Sequence, residues 1–323
     1  MAMLTKEERA LRREEKKYFK EHKSHIKLTW KDVVFNIINY TFFTLFTLSC
    51  IFPFYYIFIN TISSNDLVRK GAITFIPHQL TISNYISMFN VSDLWSSFLV
   101  TILRTVIGTA LMVFASALAG YLMTKQEMWC RKFWYRFIVV TMYFSAGLIP
   151  MYLNLSMLGL TNTFMVYIIP AIVSPYNIIL VKTYVESIPG EIEESAFIDG
   201  AGYWTIFHKI IWPLSKPILA TIAIFGAVGH WNSFQDSLIY NSNSPALYTL
   251  QHRLYVYLNQ SSNLSAMMSG GGSSSDSAVI ANSLNTKVIQ YTISMITIIP
   301  ILLVYPFMQR YFEKGIMLGA VKG

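Results

Sequence analysis

The stretch Ile188 to Pro217, IPGEIEESAFIDGAGYWTIFHKIIWPLSKP, gathers acidic, small and turn-forming residues in one place. Pro189 suits the first turn of a helix. Glu191, Glu193 and Glu194 then sit where the positive end of a helix favours negative charge. Ile192, Ala196 and Asp199 share a face at i, i+4 and i+7, bordered by Ser195 and Ile198. Gly200 and Gly202, with Ala201 between them, predict a tight turn that needs positive φ. A second short amphipathic helix is expected over Tyr203 to Ile211, stopping before Trp212-Pro213. The chemistry on offer is recognition. Solvent alone gives no reason for Phe197, Ile198, Trp204 and Phe207 in a charged loop, so this helix–turn–helix should dock on another protein or on the chain's own helix ends.

Elsewhere the reactive groups are isolated. His230 and His252 have no second ligand at metal-binding spacing. Cys50 lies in an apolar run and Cys130 in a basic loop, which gives neither a disulfide framework nor a metal spacing. Phosphate-binding GxxxxGK[ST], a serine elbow and HExxH are all missing from the sequence, and Gly270-Gly271-Gly272 has no lysine after it. The sequence therefore predicts no catalytic site, no metal and no cofactor bound by this chain. Arg104 lies within the second apolar run, an unusual place for a charge. It faces a bundle or watery cavity, or it snorkels to the outer surface; the sequence leaves both open.

The elements that carry these residues are membrane helices. Of 323 residues 54% are hydrophobic and 13% charged, against about 25% charged in a soluble domain. That excludes a disordered chain, a disulfide scaffold and an ordinary soluble enzyme. Six stretches reach the ~20 apolar residues a span needs: Val33 to Ile62, Ser97 to Met123, Trp134 to Leu153, Phe164 to Val185, Leu214 to Phe234 and Val288 to Phe312. Kinks are expected at Pro53, Pro150, Pro170 and Pro300. Before them, residues 1–32 form a charged segment whose interleaved acids and bases suit a solvated helix along anionic lipid headgroups. No cleavable leader pattern is seen there.

Twenty of the 25 Lys and Arg residues fall in the N-terminal segment, the loops after the second and fourth spans, and the tail. Positive charge marks the inner face, so both termini are expected in the cytoplasm. The same bias explains the net charge of +8 without nucleic acid. Residues 241–287 should form a mobile outer loop, with low-complexity SGGGSSSDS at 269–277. The outer segment 66–96 contains ITFIPHQLTISNYISMF, suited to the interface.

Glu194-Ser195-Ala196, then Gly200, Ile210 and Pro213, resemble the E-A-A-x3-G-x9-I-x-L-P loop of the permease subunits of binding-protein-dependent ABC importers. The spacing is unbroken. Ser195 replaces the first Ala and Trp212 the Leu. Trp231-Asn232-Ser233-Phe234, Leu238-Ile239-Tyr240 and Tyr248-Thr249-Leu250 resemble a stretch of the carbohydrate-importer branch, as does the tail Gly319 to Gly323. FSAGLIPMYL, Pro175-Tyr176-Asn177 and Lys314-Gly315-Ile316-Met317 are similar to its oligosaccharide and polysaccharide subgroup.

The resemblance implies an all-α polytopic membrane protein of the type I ABC importer permease fold, in a bacterial cytoplasmic membrane. It implies a second homologous permease, two ABC ATPase subunits that hold ATP and Mg, and an extracellular sugar-binding lipoprotein. Residues 33–323 would form the permease domain and 188–217 its coupling loop. Glu191, Glu194, Ser195, Ala196, Asp199, Gly200, Ala201, Ile210 and Pro213 would meet the ATPase, and the tail would reach it too. The chain itself would not be an enzyme. An ion-coupled secondary carrier is the alternative; such carriers often show internal repeats and midspan charges, and here only Arg104 hints at one.

An oligosaccharide needs amide and hydroxyl partners and aromatic platforms. Polar residues within spans seldom face lipid. Tyr143, Ser145, Asn154, Asn177, Trp231, Asn232, Gln235 and Asp236 are the candidates for its path; hydrogen bonding between helices is the other role open to each.

Overall fold

The structure, a computed structural model, describes residues 29–89, 92–269 and 286–320. The expected headgroup helix before Leu28, residues 270–277 of the low-complexity stretch and the last three residues of the tail lie outside the described residues. Among the described residues the chain is helical, with no strand. It divides into two units, Met1–Tyr55 and Tyr56–Gly323. In the first, apolar side chains including Phe35, Phe42 and Phe46 are exposed, and the Phe42 and Phe46 rings stack 6.3 Å apart. Helix α1 is Trp30–Thr61.

In the second unit, short helices α2 (Asn65–Arg69) and α3 (Ser83–Phe89) precede the long α4 (Ser92–Leu122). Asn84, almost fully buried, donates to the carbonyls of Thr61 and Ser63, satisfying acceptors that the end of a helix leaves orphaned. Then come α5 (Arg131–Tyr143), α6 (Leu148–Met157) and α7 (Pro175–Val185). The hairpin is α8 (Glu191–Ile198) and α9 (Tyr203–Leu214). Next are α10 (Lys216–Asn232), α11 (Gln235–Tyr240), α12 (Leu250–Ser269) and α13 (Thr286–Ala320).

Among the described residues three helices are long and apolar enough to cross a membrane unaided: Trp30–Thr61, Leu94–Leu122 and Lys287–Pro306. The other apolar stretches are bent pairs. Arg131–Tyr143 and Leu148–Met157 meet at 118°, Phe164–Ala171 and Pro175–Val185 at 43°, and Tyr203–Leu214 and Lys216–Asn232 at 79°. The first bend falls before Pro150, not at it. Phe144 is extended and Gly147 has φ +88°, a conformation a side chain would oppose, while Pro150 fits the first turn of α6. Helices α1 and α13 continue through Pro53 and Pro300 as single elements. Part of the stretch expected as a mobile outer loop is the helix α12.

Helix α4 is the centre of the second unit, packed on α10 and α7. Small residues permit the close approach. A Cβ on Gly120 would lie 2.8 Å from Val181 Cγ1 and 3.0 Å from the Lys182 nitrogen. One on Gly108 would lie 2.5 Å from His230 Nε2.

Candidate functional site

The hairpin is built by its turn. Gly200 adopts φ +80°, its N–H donates to the Phe197 carbonyl at 3.0 Å, and the Ala201 N–H donates to the Ala196 carbonyl at 2.9 Å. These two bonds make the Schellman end that a glycine in the left-handed region allows. Helix α8 starts at Glu191, with Gly190 rather than a side chain at its cap, so Pro189 lies just before the helix and not in its first turn. Helix α9 does not stop before Trp212-Pro213. It widens into a π turn over Phe207–Ile211, where the Trp212 N–H reaches back five residues to the Phe207 carbonyl, and it ends at Leu214. Proline has no N–H to lose at the first position of a new turn, so Pro213 is tolerated there.

One side of the hairpin is core. Ala196, Ile206, Phe207 and Ile211 are buried against Ala117 and Tyr121 of α4. Phe207 contacts Tyr121 at 5.5 Å between ring centroids and Trp212 at 5.9 Å. The other side is open. Ile198 is 87% exposed and Trp204 59%. Glu191, Glu194, Ser195, Asp199 and Pro213 are exposed, while Ala201 and Ile210 are half-buried. Carboxylates and two large apolar side chains of the hairpin are thus open to solvent, which suits docking by a partner with a matching cleft.

A second cluster lies toward the other end of α4. Arg104 is 2% exposed and forms an ion pair with Asp236, and its Nη1 also donates to the Ser233 carbonyl at 3.2 Å. Its guanidinium carbon lies 4.5 Å from the centroid of the Tyr167 ring, a cation–π distance. Of the two placements the sequence left open for Arg104, the structure has the one inside the bundle. Tyr167 Oη is 2.9 Å from Ser237 Oγ and 2.7 Å from the Leu247 carbonyl oxygen; Ser237 Oγ is 2.8 Å from His252 Nδ1. His252, outside the apolar stretches on α12, is buried, and that burial, with Arg253 beside it, pushes its pKa down to about 4.

Arg104, Tyr167, His230, Ser233 and Asp236 line a cavity of about 770 Å³ that extends along α7 and α10 past Asn177 to Phe225. Its walls mix aromatic and polar groups: Tyr176 and Tyr240 beside Ser174 and Asn177. Tyr240 stacks on Tyr152 at 6.1 Å, and the Asn177 amide donates to Met112 Sδ at 3.3 Å. Of the eight path candidates, Asn177 and Asp236 line this cavity. Tyr143, Ser145, Asn154, Asn232 and Gln235 are exposed and do not line it. Trp231 turns to α13 instead: its indole Nε1 donates to the Thr297 carbonyl at 3.1 Å, and its ring meets Phe98 edge-on. Sequence reasoning did not find Tyr167, Tyr176 or Tyr240 among so many aromatics. Among the described residues no cluster of three His, Cys, Asp or Glu side chains could hold a metal ion.

Residues 113–318 match the family model of binding-protein-dependent transport system inner membrane components. The chain is 34% identical over 293 residues to the polygalacturonan/rhamnogalacturonan transport system permease protein YtcP of Bacillus subtilis, an alignment that takes in 91% of this chain and all of that one. It is 29% identical to the arabinooligosaccharides transport system permease protein AraQ of Halalkalibacterium halodurans, over 80% of this chain and 86% of that one. Among solved structures it is similar to a chain of a bacterial ABC transporter involved in the import of the acidic polysaccharide alginate. There the TM-score is 0.78 at 30% identity, over 88% of this chain and 98% of that chain.

Proposed function

The chain belongs to the family of binding-protein-dependent transport system inner membrane components, and on that premise we propose that it is one of two permeases forming the path of an ATP-driven oligosaccharide importer. It is a permease subunit and not an enzyme; the chemistry of ATP and Mg takes place on two separate ATPase subunits. An extracellular sugar-binding lipoprotein delivers the substrate in a bacterial cytoplasmic membrane. Six spans cross that membrane, each bent apolar stretch counting as one, with both termini inside. The distribution of twenty of the 25 bases supports this orientation.

The hairpin is the coupling element. The observation that carries this reading is its two-sided build: Ala196, Ile206 and Phe207 bury against α4 while Ile198, Trp204, Glu191 and Glu194 stay open to a partner. Ser195 and Asp199 border that surface, Gly200 and Ala201 make its turn, and Ile210 and Pro213 carry the chain back to α10. Closure of the ATPase pair moves the hairpins, and the spans change from inward-facing to outward-facing as rigid bodies. Sugar passes along the cavity at Asn177 and Asp236, where tyrosine rings supply platforms and amide and carboxylate groups supply hydrogen-bond partners.

Affinity purification of the tagged chain from its own cells tests the assembly. The expected result is a complex with a second permease and two ATPase subunits, which Glu194→Lys releases from the ATPase. Purification of the wild-type chain alone, with no ATPase bound, would overturn the reading.

A further inference from the structure

Helix α4 touches the hairpin through more than apolar packing. Just past its C-terminal end, Lys125 Nζ forms an ion pair with Glu193 of α8 and lies 4.3 Å from the centroid of the Tyr121 ring. Both charged side chains are largely withdrawn from water, at 12% and 17% exposure. The first arm of the hairpin is therefore tied by a polar contact to the short segment after α4. Apolar contact is non-directional. A charge-assisted hydrogen bond fixes direction and register.

The other end of this connection is the cavity. Arg104 lies on the same helix, about 27 Å along its axis from the last residue, Leu122. No break interrupts α4 between Arg104 and Leu122, and Gly108 and Gly120 seat it directly on α10 and α7. A helix held this closely moves as a rod.

We propose that Lys125, through Glu193, is the positioning residue that fastens the hairpin to α4, so that displacement of the hairpin reaches the Arg104–Asp236 pair at the cavity. The inference rests on the transport reading above. Lys125 touches neither substrate nor nucleotide; it acts by making hairpin and helix move together.

The test uses the complete complex in proteoliposomes, with both permeases, the ATPase subunits and the sugar-loaded binding protein. Lys125→Glu, Glu193→Lys, the double exchange and Lys125→Arg are compared for sugar imported per ATP hydrolysed, and for ATPase subunits retained on purification. Lys125→Glu is expected to keep its ATPase subunits and to lose import per ATP by about tenfold, within the usual span of coupling energies. Glu193→Lys loses import per ATP likewise. The double exchange restores it, and Lys125→Arg keeps it. A wild-type ratio in Lys125→Glu, or a double exchange no better than the worse single variant, overturns the proposal. So does release of the ATPase by Glu193→Lys that Lys125→Glu fails to repair, because Glu193 would then read the ATPase directly. A wild-type complex with no sugar-stimulated hydrolysis would instead sink the transport reading, and this proposal with it.

Discussion

Arg104 and Asp236 stand 132 residues apart in sequence and meet as an ion pair on the wall of the cavity. The pair closes the second unit between α4 and α11, and Tyr167 lies over the guanidinium as a third partner. Removing one charge leaves the other buried and uncompensated, which costs about 3–5 kcal/mol in such pairs. Asp236→Asn and Arg104→Leu should each lower the thermal midpoint of the detergent-solubilised protein by several degrees. The double variant Arg104→Leu/Asp236→Asn should recover much of the loss. A double variant with the full sum of both losses would show that the two side chains do not depend on each other.

Gly200 holds φ +80° with nothing near its Cβ position, so the obstacle to substitution is backbone strain and not a clash. Gly200→Val should abolish sugar uptake at normal membrane levels, because a β-branched residue resists that conformation. Gly200→Asn should retain partial uptake, since asparagine visits the left-handed region more readily. Uptake of labelled sugar by cells expressing each variant checks this. Equal uptake by both would contradict the strain argument.

Gly120 tests packing. Its missing Cβ faces both a side chain and the backbone of α7, so neither can easily yield. Gly120→Ala should cost about 1–3 kcal/mol, as overpacking does, seen as a lower unfolding midpoint. Gly229, with open space at its Cβ position, is the control and should tolerate alanine. An unchanged midpoint for Gly120→Ala would argue against the tight α4–α7 contact.

His252 gives a pH dependence with a definite sign. Its folded pKa of about 4 lies below the ordinary histidine value of 6.5, so the unfolded chain takes up a proton before the folded one does. Stability is fully present above pH 6.5 and falls as pH drops toward 4. Thermal unfolding across that range should show the loss, and His252→Gln should make it less steep. An equally steep loss in His252→Gln would place the titration elsewhere.

Much of this was legible in the sequence, for identifiable reasons. Turn chemistry at Gly200 is local, so the hairpin could be placed to within a few residues. The stop before Pro213 was misplaced because a π turn at Phe207–Ile211 absorbs the proline. The apolar stretches were found by length alone, whereas their bends were not: Gly147, not Pro150, carries the sharpest. At the cavity, Arg104 signalled that a charge needed a home, but its partner lay 132 residues away and composition cannot pair them. Trp231 and Asp236 sit close in one motif yet point to different neighbours, Thr297 and Arg104, because the helix breaks at Ser233–Phe234 and α11 starts anew after it. In a chain with 15% aromatic residues, no single tyrosine stood out as a platform.

The most direct test of the central claim is oligosaccharide uptake into proteoliposomes holding this chain, with its partners added stepwise. No uptake is expected by the chain alone, with or without an ion gradient. Uptake should appear only when the second permease, the ATPase subunits, ATP with Mg and the sugar-loaded binding protein are all present. Uptake driven by an ion gradient through this chain by itself would contradict it.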